Sequence, residues 1–243
     1  MSDDSFKTQG WAQGIYKVSA TKKEIYGALR ILPDGRKFRY AKAGGTLVAG
    51  GMTGGATVTT NHYGQVQTSG AANAVGSTVV QVYIGATAVT ENMYLDGFLL
   101  VYDGTAGTTG FQYRVTSHET SSAGSEIISV TLAEPLQVAT LTTDYFSLVP
   151  SLWSSVTHTT SRTAAPAGIA MKAATSGQFL WLQTGGSAIC KAEGTAAVGT
   201  EISISNTAQE IEINDAYTSA PVGWVYGVAN AAGKWGPVFL TID

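Results

Sequence analysis

The chain has 243 residues, 44% of them hydrophobic and only 13% charged, with 29 glycines. That is too apolar for a disordered protein, and no run nears the roughly 18 apolar residues that a spanning helix needs. The formal net charge of −3 hides an asymmetry: residues 1–42 carry nine of the 14 Lys and Arg against four acids, and the rest of the chain carries five cations against 13 acids.

In chain order, the opening MSDDSFKTQGWAQGIYK has acids and polar residues where a secretory signal has a basic start and an apolar core, so classical export is not expected. Residues 1–30 show no sustained period apart from Ile25, Leu29 and Leu32 at helical spacing. They read as an extended arm with one helical turn. Pro33, Asp34 and Gly35 then supply turn chemistry between two legs, ALRIL and RKFRYA, which predicts a hairpin. In its second leg Phe38 and Tyr40 alternate with Lys37 and Arg39, giving one aromatic and one cationic face.

Residues 44–76 become Gly, Ala, Thr and Ser, the composition of a linker or of thin edge strands. After Gly76, short apolar or alternating runs follow at 77–84, 97–104, 111–117, 126–132 and 144–150, separated by Gly, Asp and Thr, as in a barrel or sandwich. A second dip, TTSRTAAPAG at 159–168, separates these from runs at 177–184, 201–204, 210–213, 223–229 and 236–242. The fold expected is all-β: two small β-barrel or sandwich modules preceded by an extended N-terminal arm. The divisions expected are a basic arm and hairpin at 1–43, a first β module at 44–157 and a second at 165–243, with the last strand tied into a sheet.

Reactive groups are sparse. His62, His118 and His158 have no metal-ligand spacing and read as surface or loop histidines. Asp34, Asp96 and Asp103 each precede Gly, a turn signal before it is a ligand signal. The glycine pairs at 44–45, 50–51 and 54–55 lack the Gly-Lys-Ser/Thr of a phosphate loop, and the single Cys190 reads as a small buried hydrophobe. No enzyme, metal or cofactor is expected. RKFRYAK mixes cations with aromatics as a single-strand binder does, but the patch is short and the body acidic, so neither nucleic acid nor membrane is an expected partner.

Several segments together, LPDGRKFRYAKAGGTLVAGG, VGSTVVQVYIGATAVTENMYLDGFLLVYDGTAGTTGFQYRVTSH, ISVTLAEPLQVAT, GQFLWLQTGGSAICKAEGTAAVGTEI and VGWVYGVANAAGKWGPVFLTID, resemble virion structural proteins of tailed phages. Those are taken to be capsid decoration, or cement, proteins. The resemblance implies a chain made in the host cytoplasm that sits on the capsid exterior as a homotrimer and binds the major capsid protein. Lys22, Lys23, Arg30, Arg36, Lys37, Phe38, Arg39 and Tyr40 are then the expected capsid-binding residues. The alternative is a glycan- or receptor-binding surface module, using Trp153, Trp181, Trp224 and Trp235.

Overall fold

The alternating runs separated by turn residues fold as strands. A computed structural model describes residues 10–67, 72–103, 110–122, 124–214 and 219–243. These hold fifteen strands and a 3₁₀ turn at Thr60–His62, with no α-helix among the described residues. The chain is all-β, as expected.

Its two compact units are residues 1–56 together with 152–243, and residues 57–151. These are not the divisions the composition suggested. The stretch 44–56 and the dip at 159–168 lie within the first unit, where β3 (Met52–Gly54) pairs β10 (Pro166–Ala170). Small residues there serve close packing, not slack: a Cβ on Gly55 would meet Leu152 Cδ1 at 2.1 Å. Composition alone does not separate a linker from a tightly packed run of small side chains.

The extended arm is also corrected over residues 10–30; residues 1–9 lie outside the described ones. Ser19 bridges Phe179, and Ile15, Leu32, Phe38, Tyr40, Phe179 and Trp181 form one buried cluster. Gln13 ties it together: its amide donates to Phe179 O (3.0 Å), and its backbone oxygen accepts from Trp181 Nε1 (3.0 Å). An unbroken apolar period was missing because this segment lies across a sheet one side chain at a time.

In the first unit β1 (Leu29–Ile31), β2 (Lys37–Lys42), β11 (Phe179–Ala192), β13 (Glu210–Ile213), β12 (Glu201–Ile204), β14 (Pro221–Val225) and β15 (Trp235–Thr241) follow one another across the sheet. β15 pairs back onto β11, so β11, β13, β12, β14 and β15 close a five-stranded barrel. β11, 14 residues long, serves both parts. Phe179–Gly185 pairs β2, and Gly185–Lys191 pairs β15, with a register shift between Gln183 and Gly185. The barrel is filled by Cys190, Ile202, Ile204, Ile211, Val222, Val225, Val238 and Leu240.

The second unit is one antiparallel sheet: β4 (Gln65–Val66), β9 (Tyr145–Val149), β6 (Phe98–Tyr102), β7 (Gly110–His118), β8 (Ile127–Leu132) and β5 (Val79–Tyr83), in that spatial order. Alternate residues point inward, among them Val80, Val82, Leu99, Val101, Tyr113, Val115, Ile128, Val130, Phe146 and Leu148. The sheet curls into a half-barrel, and side chains cover the outer edge of β5. The Gln67 carboxamide donates to Gln81 O (3.0 Å) and accepts from Tyr83 N–H (2.9 Å). Asn73 Oδ1 accepts from Gln81 N–H (2.8 Å). Two amides thus mimic a neighbouring strand and leave β5 no bare edge at these groups.

Candidate functional site

The basic hairpin forms as its sequence predicts. Leu32 N–H donates to Arg36 O (2.9 Å) across a turn in which Gly35 takes φ +85°, and the strands register as Leu29↔Arg39, Arg30↔Phe38 and Ile31↔Lys37. Three of the expected capsid-binding residues face inward and are unavailable to a partner. Phe38 and Tyr40 are fully buried, and the Tyr40 hydroxyl donates to Gln13 Oε1 (3.1 Å). Arg30 is 3% exposed, lies over the Trp181 ring at 5.9 Å and donates to Gln13 O at 3.2 Å. A short strand buries every second residue, and at position 30 that residue is an arginine whose stem and planar head suit an aromatic pocket.

The outward cations are largely engaged within the molecule. Arg39 forks onto Asp243 (Nε–Oδ2 2.8 Å, Nη2–Oδ1 2.9 Å), reaches Gly27 O through Nη1 (2.7 Å) and covers Trp153 at 5.1 Å. Lys37 Nζ donates to Asp243 O (3.1 Å), and Arg36 pairs with Asp34 (2.7 Å). Burial works against ionisation of the Asp243 carboxyl, but hydrogen bonds from Arg39 and Thr184 and the charges of Arg39 and Lys37 outweigh it and hold the group below its usual range. Lys22 lies over Tyr26 at 4.5 Å, and Lys23 is exposed. Apolar side chains are what the hairpin presents freely: Leu29 is 38% and Ile31 47% exposed, on the terminal strand of the sheet.

A second surface lies on the outer face of the barrel. Trp224 of β14 is directly opposite Phe239 of β15, and their rings stack with centroids 5.1 Å apart and planes 14° apart. Gly223, at φ +150°, permits this approach, since a Cβ there would meet Phe239 O at 2.0 Å. Phe239 is in turn opposite Ser187 of β11, whose hydroxyl bonds that of Tyr226, and Trp224 is opposite Glu201 of β12, whose carboxyl accepts from Asn214 Nδ2 (2.6 Å). Beside this row, a cleft of about 350 Å³ is rimmed by Tyr16, Ile189 and Trp235 over a floor of Ile169, Ala170 and Met171.

Of the tryptophans proposed as exposed platforms, Trp224 and Trp235 are exposed, Trp153 is half-buried and Trp181 is fully buried. Phe239, Tyr226, Ile189 and Tyr16 had not been singled out. The signal for Phe239 was in GPVFLTI, where it alternates with the inward Val238 and Leu240. Ile189 and Tyr16 had none, because their neighbours come from distant strands.

His62 and His118 are buried, and His158 is half-buried in a loop. His118 Nε2 accepts from Tyr94 N–H (2.9 Å), its Nδ1 donates to Glu119 O (2.7 Å), and burial pulls its pKa below the usual value. His158 repeats the pattern, accepting from Val48 N–H (2.8 Å) and donating to Met52 O (2.7 Å), with its pKa lowered by burial. His62 donates to Thr87 O (2.9 Å) and accepts from the Tyr94 hydroxyl (2.5 Å), which burial pushes up to about 12. Each ring is a fixed donor–acceptor staple. Cys190 is buried in the barrel, and desolvation pushes its thiol up to about 12, as a packing role requires. Asp34 and Asp96 stand in turns, Asp96 at φ +58°. Among the described residues no three His, Cys, Asp or Glu side chains are grouped to hold a metal, and no helix is long and apolar enough to cross a membrane.

These surfaces define the class as an all-β protein of two units, one a closed barrel. No protein-family model matches the chain, and no curated protein or solved structure does.

Proposed function

We propose that the chain is a structural protein of a phage particle, one that decorates the outside of the capsid shell as a homotrimer and binds the major capsid protein through the β1–β2 hairpin. The observation that carries this reading is the hairpin's outward face. Exposed Leu29 and Ile31 stand on a terminal strand, and Ile25 and Lys23, earlier in the same segment, are exposed too. An apolar strand at a sheet edge is suited to docking against another protein. Many copies of a modest contact then add up on a repeating shell.

The role first given to the cations changes accordingly. With Arg39 and Lys37 held by Asp243, and Arg36 by Asp34, the apolar residues supply the contact and the cations fix the hairpin's shape. The test is occupancy on purified particles, read by cryo-electron microscopy, for wild type and for Leu29→Glu with Ile31→Glu. Loss of the density with an unchanged thermal melt supports the reading. Full occupancy in the double variant, or density on the tail alone, ends it.

A further inference from the structure

We infer that the outer face of the barrel carries a binding site for a neutral oligosaccharide, centred on Trp224 and Phe239. Ser187, Phe239, Trp224 and Glu201 are successive cross-strand partners on β11, β15, β14 and β12, so they form one row running around the barrel. Asn214, itself buried, donates to Glu201 and fixes its carboxyl at the end of the row. At about 4.8 Å per strand spacing the row runs roughly 14 Å around the curved barrel wall.

Its chemistry is ordered along that length. Two aromatic rings occupy the middle, 42% and 37% exposed for Trp224 and Phe239. A centroid distance of 5.1 Å at 14° is an offset stack, which leaves part of a face on each ring uncovered. Hydrogen-bonding groups stand at both ends: the Ser187 and Tyr226 hydroxyls at one, and at the other the Glu201 carboxyl, held by the buried Asn214 amide. A sugar chain has the matching character, with apolar ring faces that lie on aromatic carbon and hydroxyl edges that bond planar polar side chains.

Charge and size choose among occupants. Glu201 is the row's one charged member, and the chain beyond residue 42 carries five cations against 13 acids, which disfavours nucleic acids and acidic glycans. The two rings expose on the order of 200 Å² together. With Ile189 and Trp235 on adjoining rows the apolar area reaches only roughly 400 Å², half of the ~800 Å² per partner that a stable protein interface buries. The area suits a short ligand better than a second copy of this chain.

The experiment titrates the full chain separately with maltohexaose, cellohexaose and chitohexaose, followed by tryptophan fluorescence and saturation-transfer NMR. Saturable binding of at least one of the three is expected, weakened about fivefold to tenfold by Trp224→Ala and by Phe239→Ala. It should also be weakened by Glu201→Gln, which keeps the bond to Asn214 and tests the carboxyl without disturbing the strands. Ile31→Glu on the hairpin should leave it unchanged, so this result is independent of particle attachment. Absence of saturation by all three at 10-millimolar order, binding insensitive to all three row variants, or an oligomer that Trp224→Ala dissolves would overturn the assignment.

Discussion

The two β bodies close by different means, and the difference shows where each is vulnerable. In the first unit the barrel closes with backbone hydrogen bonds: seven consecutive cross-strand pairs, Gly185↔Thr241 to Lys191↔Trp235, join its first and last strands. In the second unit the edge of the half-barrel is covered by the carboxamides of Gln67 and Asn73. A backbone ladder tolerates most substitutions, because any residue but proline contributes to it. An edge covered by two amides rests on two particular side chains.

The largest expected effect separates core packing from both devices. Trp181→Ala removes the biggest buried side chain of the first unit, along with its indole bond to Gln13, and should cost about 3–5 kcal/mol there. Hydrogen exchange resolved by segment should show faster opening in 10–56 and 152–243, with 57–151 unaffected. Equal loss of protection in both units would show that the two open together.

Gln67→Ala tests the covered edge. It leaves Tyr83 N–H without its acceptor, while Gln81 O keeps the Asn73 amide (3.2 Å), at a cost of about 1–3 kcal/mol in the second unit. The same measurement should place the loss in 57–151. A change below about 0.5 kcal/mol would mean that water replaces the amide without penalty.

Acid should weaken the second unit through His118. Its Nε2 is committed to accepting from Tyr94 N–H, and burial, with a smaller contribution from His62, lowers its folded pKa against smaller opposing effects of Glu119 O and Glu91. The unfolded ring binds a proton first, so this contribution is complete above the unfolded value of about 6.5 and is lost as pH falls from there towards the folded value. Denaturant unfolding from pH 8 to 5 should show the decline, and His118→Gln should flatten it. A decline that survives in His118→Gln assigns the effect elsewhere.

The smallest effect belongs to the hairpin network. Asp243→Asn removes the charge that Arg39 grips with both arms, for about 1 kcal/mol at low salt and less at high salt. A larger loss, insensitive to salt, would show that Asp243 acts through packing.

The second unit's strand pattern was legible from alternation alone: Phe111, Tyr113 and Val115 share the face the sequence gives them, with Tyr113 and Val115 in the core. The hairpin at Pro33–Asp34–Gly35 was legible too, because turn chemistry is local. The full length of β11 was hidden. Its second half, GGSAICKA, lies beyond the run expected at 177–184, and it becomes strand because β15 returns to pair with it. The candidate surface was half legible. Trp224 and Trp235 stood out by type, but nothing local shows that Phe239, Ser187 and Glu201 join Trp224 in one row.

What the sequence determined by itself was the class of structure and the local faces: short alternating runs, glycine and aspartate turns, and an aromatic side and a cationic side to one strand, all fixed by backbone geometry within a few residues. Tertiary structure alone decided which segments belong together, burying Arg30, wiring Arg39 to a carboxyl 204 positions away and gathering residues 57–151 into a compact unit. The reason is physical. Propensity and periodicity act over a turn or a strand, whereas the partner of a buried cation or of a sheet edge comes from wherever the chain returns, and composition carries no record of that return.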